Sequence, residues 1–584
     1  MLTITNLEGD IIKWKNMESL GPIYYDSIQT VRNGLSELNW TVFFAACLFS
    51  CIFTRVITGL ASGHRKSNPG QIRSARQAPY WFPWIGHGFE ILWDHAGLFK
   101  SLREKIGEPV FGVFLRGQAY TTVVSPSMIQ TVLTSQITRS AAIFDQTLQN
   151  VFGDRSLVLS LQANQDKQVS DDIMNTMTQD KFLRGTSEAI TKLFQHNLPN
   201  LVTSSISPVD QLPWERDSSV VLSDQDESAS DADLFALLQG FIGHHLTVAL
   251  MGESFMESFP SVLPQLWTLD DAVVALFVGS PKWVPSPMAS AGRVARGNLL
   301  HIFSVFYRAF CAWDDGIDPG IELRDLDDVS ELLKERMRAF RKLELSPQAS
   351  AAAILSLYWE LMEYIIKITF WTLIHIISDA ELLKEIRKEM TPYAEATRRS
   401  RKETGFPFDE PPKLRLDIEK LEESCPLLNA CYYEAIRLHS AGISYRELES
   451  DLTLVESKQE AMEPHTYKIP KGKKVIMPHG VFQNDEARFS NPDQYDPLRF
   501  ITTDSSSGTK KVNPEILGPV AAGLYGPKSN KFTHQTIMAF TASIIAMWNI
   551  SSVNNKELRI PRHRKTWGTF RPAHDVSVRI KSRV

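Results

Sequence analysis

The stretch Thr41–Leu60, TVFFAACLFSCIFTRVITGL, constrains the chain more than any other segment, because it is continuously apolar apart from Arg55 near its end. As a helix rising 1.5 Å per residue, about 20 such residues cross a hydrocarbon core. A terminal arginine reaches back to the headgroups along its own methylenes. Polar and mixed residues precede the run from position 1, which is the wrong layout for a cleavable signal peptide. His64, Arg65, Lys66, Arg73 and Arg76 follow it, so the positive-inside rule puts the larger C-terminal part in the cytoplasm. Asn39-Trp40-Thr41 is a glycosylation sequon on the opposite, lumenal side, close to the membrane. A buried core helix is the competing reading, and the length of the run and the linker behind it favour a span. The expected layout is a lumenal segment 1–39, a transmembrane anchor 40–60, a linker 61–78 and a globular domain 79–584.

The linker is rich in Gly, Ser, Asn, Arg and Pro, which favours extended chain over helix. Beyond it, Phe89–Glu104 has helical spacing and Pro109–Pro126 alternates about Arg116-Gly117-Gln118 as a β-hairpin does. From about Pro126 to Ser450 the period is helical, apart from a polar, acidic, Ser-rich stretch at Ser204–Asp233 that reads as a surface loop. Short strands return around Leu452–Val455 and Lys468–Met477. The expected fold class is mainly α with small peripheral β-sheets. At 584 residues and 43% hydrophobic content the chain buries a large core. Its net charge of -5 gives no basic excess to draw it onto nucleic acid. The five cysteines, Cys47, Cys51, Cys311, Cys425 and Cys431, show neither a disulfide framework nor zinc spacing, and no metal site is expected.

Several motifs, in order, resemble the cytochrome P450 superfamily from Pro79 to the C-terminus. WFPWIGHG (Trp81–Gly88) is similar to the family's entry into its first helix and sheet. NACYYEAIRLHS carries Glu434-x-x-Arg437, and Asp496-Pro497-Leu498-Arg499-Phe500 follows where the family has P-E-R-F. The resemblance implies a structural triad of Glu434, Arg437 and Arg499, in which guanidinium forks satisfy a buried carboxylate. Leu276–Pro287 and Thr369–Met390 resemble the branch of sterol, prostanoid and fungal secondary-metabolism enzymes. That branch implies a lipophilic small-molecule substrate and residence at the endoplasmic reticulum membrane.

The family delivers a cysteine thiolate to haem iron from a Gly-rich loop ahead of a helix. Here that segment is GPVAAGLYGPKSNKFTHQTIMAFTASIIAMWNI (Gly518–Ile550), with the helix running from Phe532 through Ala539-Phe540 to Trp548-Asn549-Ile550. Counting back, Pro527 takes the cysteine's place, Gly523 keeps the motif's glycine and Ser529 replaces the glycine behind it. Proline has no donor atom, whereas a thiolate favours O–O cleavage. No cysteine follows Cys431. His534, about two turns further on, reads as a packing histidine. In the central helix, WELMEYIIKITFW (Trp359–Trp371) places Glu360 where the family has a small residue and Tyr364 where it has Thr or Asn. Glu360 and Tyr364 share a helix face and are the candidate catalytic residues, while Glu363 and Lys367 read as an ordinary i, i+4 ion pair.

These changes lead to the expectation of a redox-neutral cyclase or isomerase, pericyclic closure included, acting on a terpenoid or polyketide with no cofactor. One alternative is a haem monooxygenase fed by a reductase; another is a non-catalytic ligand-binding or scaffolding protein.

Overall fold

A computed structural model describes residues 40–62, 72–279 and 286–584, apart from 136, 140–148, 154–179, 204, 206, 208, 406, 408–409, 459, 461–463, 505–507, 523–526, 554–556 and 565. The segment 1–39, most of the linker and the loop before Pro527 therefore lie outside the described residues.

Helix α1 (Trp40–Ala61) is the apolar run, and its large side chains stay exposed: Leu60 by 77%, Phe49 by 68%. Of three described helices long and apolar enough to span a membrane, the other two are mostly buried inside the protein, whereas none of the apolar window of α1 is buried. Its last turns rest on the globular part. The Arg55 guanidinium donates to the Pro79 carbonyl and lies 5.4 Å from the Trp81 ring, and Thr58 exchanges hydrogen bonds with Tyr80.

Helix α2 (Gly88–Ile106) breaks at Asp94, whose carboxylate accepts the Gly97 N–H at 2.8 Å and restarts the helix. Strands β1 (Val110–Leu115) and β2 (Gln118–Val123) then form the hairpin. Among the helices that follow are α3 (Leu234–Met251), α4 (Val262–Phe277), α5 (Pro287–Asp314) and α6 (Pro347–Ser378). Both α5 and α6 start on a Ser-Pro pair. The serine hydroxyl caps a free N–H and proline needs none at the first helical position, as where Ser346 Oγ accepts from Ala349 N at 3.2 Å. Helix α7 (Pro426–His439), strands β3 (Ile443–Leu448) and β4 (Lys474–Pro478), and helix α8 (Pro527–Met547) complete the frame.

The main sheet runs Arg76–Gln77, β1, β2, β4, β3, Thr138–Arg139, with β2 parallel to β4. A second sheet corrects the reading of Ser204–Asp233 as loop. Its residues include a short helix, Pro213–Asp217, and a hairpin of Val221–Ser223 with Asp226–Asp233 that pairs with the C-terminal strand Ser577–Ser582. The polarity that suggested a loop belongs to a sheet laced by ion pairs such as Arg579–Asp231 at 2.8 Å. Trp548-Asn549-Ile550 also differs from expectation: it opens a strand, Trp548–Ser552, instead of closing α8.

Helix α6 is buried around nearly its whole circumference, packed by α3, α5, α7 and α8. The short strand Gly568–Thr569 pairs with Ser440–Ala441 and lies against α6.

Candidate functional site

Two helices and a strand converge on an ionic cluster inside the protein. Helix α6 contributes Glu363 and Lys367, one turn apart, and α4 contributes Asp270. Lys367 Nζ is 2.9 Å from Asp270 Oδ2 and 3.5 Å from Glu363 Oε2. The other Asp270 oxygen accepts the Trp359 indole N–H at 2.9 Å. Glu363 Oε1 accepts the Thr569 backbone N–H at 3.4 Å. Gly568 is required by this contact: it has φ +74°, and a Cβ there would sit 2.3 Å from Glu363 Oε1.

The Glu363 and Lys367 side chains are only 8% and 2% exposed, so the pair is not the ordinary helix-surface pair that its spacing suggested. One ammonium faces two carboxylates. With Glu363 protonated the cluster is neutral, and ionising it adds an uncompensated buried charge. Burial accordingly pushes the Glu363 carboxyl up to about 7; Lys367 opposes this, and Asp270 and Glu360 reinforce it. Burial works against the Lys367 charge, but Asp270 and Glu363 outweigh it and hold the ammonium above its ordinary value. A carboxyl that exchanges its proton near neutrality, beside a fixed ion pair, is equipped for acid–base chemistry.

Glu360 is half-buried on the same helix. Tyr364 turns toward α7: its hydroxyl is 3.2 Å from that of Tyr432, and burial raises its phenol above the ordinary value. The Tyr432 ring lies 4.4 Å from that of His534 on α8, whose Nδ1 is 3.8 Å from Glu422 Oε1. Glu360 and Tyr364 are both partly buried on α6, and both act electrostatically on or with Glu363. Glu434 and Arg437 are fully buried, with Arg437 Nε and Nη2 donating to the carboxylate at 2.7 and 2.8 Å. Arg499 Nε reaches the same carboxylate at 3.4 Å. Pro527 is the first residue of α8, and residues 523–526 ahead of it lie outside the described residues.

Sequence reasoning passed over Asp270, Gly568 and Thr569. Only Asp270 left a signal, an acid within the apolar run LWTLDDAVVALF, where an unpaired carboxylate would be costly.

Residues 314–516 match the family model described as cytochrome P450; Gly518–Ile550 lies beyond that match. Prostacyclin synthase of Rattus norvegicus is 21% identical over 519 residues, covering 86% of this chain and 92% of that protein. The cytochrome P450 monooxygenase efuG of Hormonema carpetanum is 23% identical over 574 residues, covering 91% and 95%. The cytochrome P450 monooxygenase poxD of Penicillium oxalicum is 22% identical over 227 residues, 39% of this chain and 42% of that protein.

These relatives correct the expectation of a chain without a cofactor: cytochromes P450 are haem proteins, and no described residue gives a sign of a haem-free state. The fit to haem is uneven. Arg446 on β3 is half-buried, donates to the Tyr445 carbonyl at 2.8 Å and has no carboxylate partner among the described residues, which suits an acidic group. A thiolate is another matter. Cys425 and Cys431 are buried thiols pushed up to about 12, and no cysteine follows them. Neither of these two buried thiols is disposed to ionise and bind iron. Among the described residues, no group of three or more His, Cys, Asp and Glu is arranged to hold a metal ion.

Proposed function

The chain belongs to the cytochrome P450 superfamily, and from that premise we propose that it is an enzyme of fungal-type secondary metabolism that rearranges a lipophilic terpenoid or polyketide without net oxidation, as a cyclase or isomerase. The observation that carries the reading is Glu363, a buried carboxyl held near 7 beside the Lys367–Asp270 ion pair. As the neutral acid, Glu363 gives its proton to an alkene or carbonyl of the substrate. The carbocation formed closes or shifts, and the carboxylate takes a proton back from an adjacent carbon, so atoms and electrons balance. Lys367 stabilises the transient carboxylate, and Asp270 keeps that ammonium charged and in place. Glu360 and Tyr364 remain proposed lining residues. We place Pro527 at the position of the family's ligand cysteine. The exposed apolar α1 supports a membrane-held enzyme, where lipophilic substrates concentrate.

This reading does not depend on haem being absent. A second reading, monooxygenation, is favoured by the names of the two fungal relatives; there haem, when bound and fed by a reductase, supplies oxygen insertion.

The two separate on one experiment. Membranes carrying the full chain are fed the lipophilic extract of a host strain lacking only this chain, under ¹⁸O₂, with and without NADPH and reductase. The expected product has its precursor's mass, forms without NADPH, and declines in rate as pH rises through about 7, because the acid form is lost. Glu363→Gln is expected to slow it by about 10²–10⁴-fold, the usual worth of a positioned general acid. A product carrying ¹⁸O and requiring reductase overturns the proposal.

A further inference from the structure

The hairpin between β1 and β2 turns through Arg116 (φ 47°) and Gly117 (φ 78°), a pair of left-handed residues. That turn suits Asn or Gly at the first position, and an arginine there holds a strained backbone. Arg116 shares the wall of a largely apolar cavity of about 20 Å³ with Ile91, Leu115, Phe277, Val278, Tyr120 and Tyr445, among others. Room for the guanidinium is kept by Gly279 (φ +74°), where a Cβ would lie 2.6 Å from Arg116 Nη1. Arg116 is half-buried, and among the described residues no carboxylate pairs with it. A strained turn and a glycine notch thus hold a cation without a counter-charge against an apolar wall.

The wall leads inward. The Phe277 ring lies 4.3 Å from that of Trp567, and Trp567 adjoins the Gly568–Thr569 strand that touches Glu363. The cavity is far below the several hundred Å³ of a whole substrate site and has room for about one water-sized group beside Arg116.

We propose that Arg116 is an anion hook, and that the substrate is a lipophilic carboxylic acid whose carboxylate is held there while its hydrocarbon body runs past Phe277 and Trp567 toward Glu363. The proposal rests on the reading of Glu363 as the reacting end, but its test involves no turnover, so the two fail separately. A guanidinium grips a carboxylate through two parallel N–H donors, whereas an ester offers no charge.

The probes are 11-(dansylamino)undecanoic acid and its methyl ester. Each is titrated by dansyl emission into the full-length chain in nanodiscs, with protein-free nanodiscs subtracted. The acid is expected to bind at least tenfold more tightly than the ester. Arg116→Asn, which suits the left-handed turn, should weaken the acid about 10- to 100-fold and leave the ester unchanged. Gly279→Ala, which displaces the guanidinium without removing it, should weaken the acid alone. Equal affinity for acid and ester, or a parallel loss of both in Arg116→Asn, overturns the proposal.

Discussion

Glu434→Ala unfolds at lower denaturant than the parent chain by the equivalent of about 3–5 kcal/mol, the loss expected when one member of a buried ion pair is removed. The carboxylate is fully buried between Arg437 and Arg499 and also accepts the Asp496 backbone N–H at 2.9 Å. Removing it strands the Arg437 guanidinium, whose other donors go to the carbonyls of Gln483 at 2.9 Å and Gln494 at 3.2 Å. Arg499→Ala costs less, because Arg499 is 11% exposed and water replaces part of what it loses. Urea titration followed by far-UV circular dichroism checks both, and a Glu434→Ala chain as stable as the parent would contradict a structural role for the triad.

Lys367→Met is the second large loss. It leaves Asp270, whose side chain is 4% exposed, without its counter-charge, and the penalty is again about 3–5 kcal/mol near neutral pH. The sign of its pH dependence follows from the charge count. Once the ammonium is gone, Glu363 loses the charge that opposes the effect of its burial, so its folded-state pKa moves further above the unfolded one, and stability falls as pH rises through that interval. Adding Asp270→Asn to Lys367→Met should restore most of the loss, since an amide still accepts from the Trp359 indole. Thermal melts at about pH 5 and about pH 8 separate the cases. A Lys367→Met chain equally stable at both would show that the cluster is not desolvated.

How much of this was legible in the sequence follows from the range of the interactions. Helices such as α6 announced themselves by local period, and the hairpin by alternation about Arg116-Gly117. Ser204–Asp233 misled, because strands at a polar edge carry as many acids as a loop does. Glu363 and Lys367 misled for a different reason: their i, i+4 spacing is the same whether the face meets water or another helix. What distinguishes the two is Asp270 and the Gly568–Thr569 strand, each on an element remote in sequence, and no local pattern encodes that meeting. The surroundings of Arg116 were hidden similarly, since the notch beside it is made by Gly279, two residues past the end of α4.

The central claim is that Glu363 carries an exchangeable proton near neutrality inside the protein. Infrared difference titration of the full chain between about pH 5 and about pH 9 reads this directly through the C=O stretch of a protonated carboxyl. The account predicts a band that titrates near 7 and is missing from Glu363→Gln. A parent spectrum in which every carboxyl has ionised by about pH 5, or a near-neutral band that persists in Glu363→Gln, would contradict it.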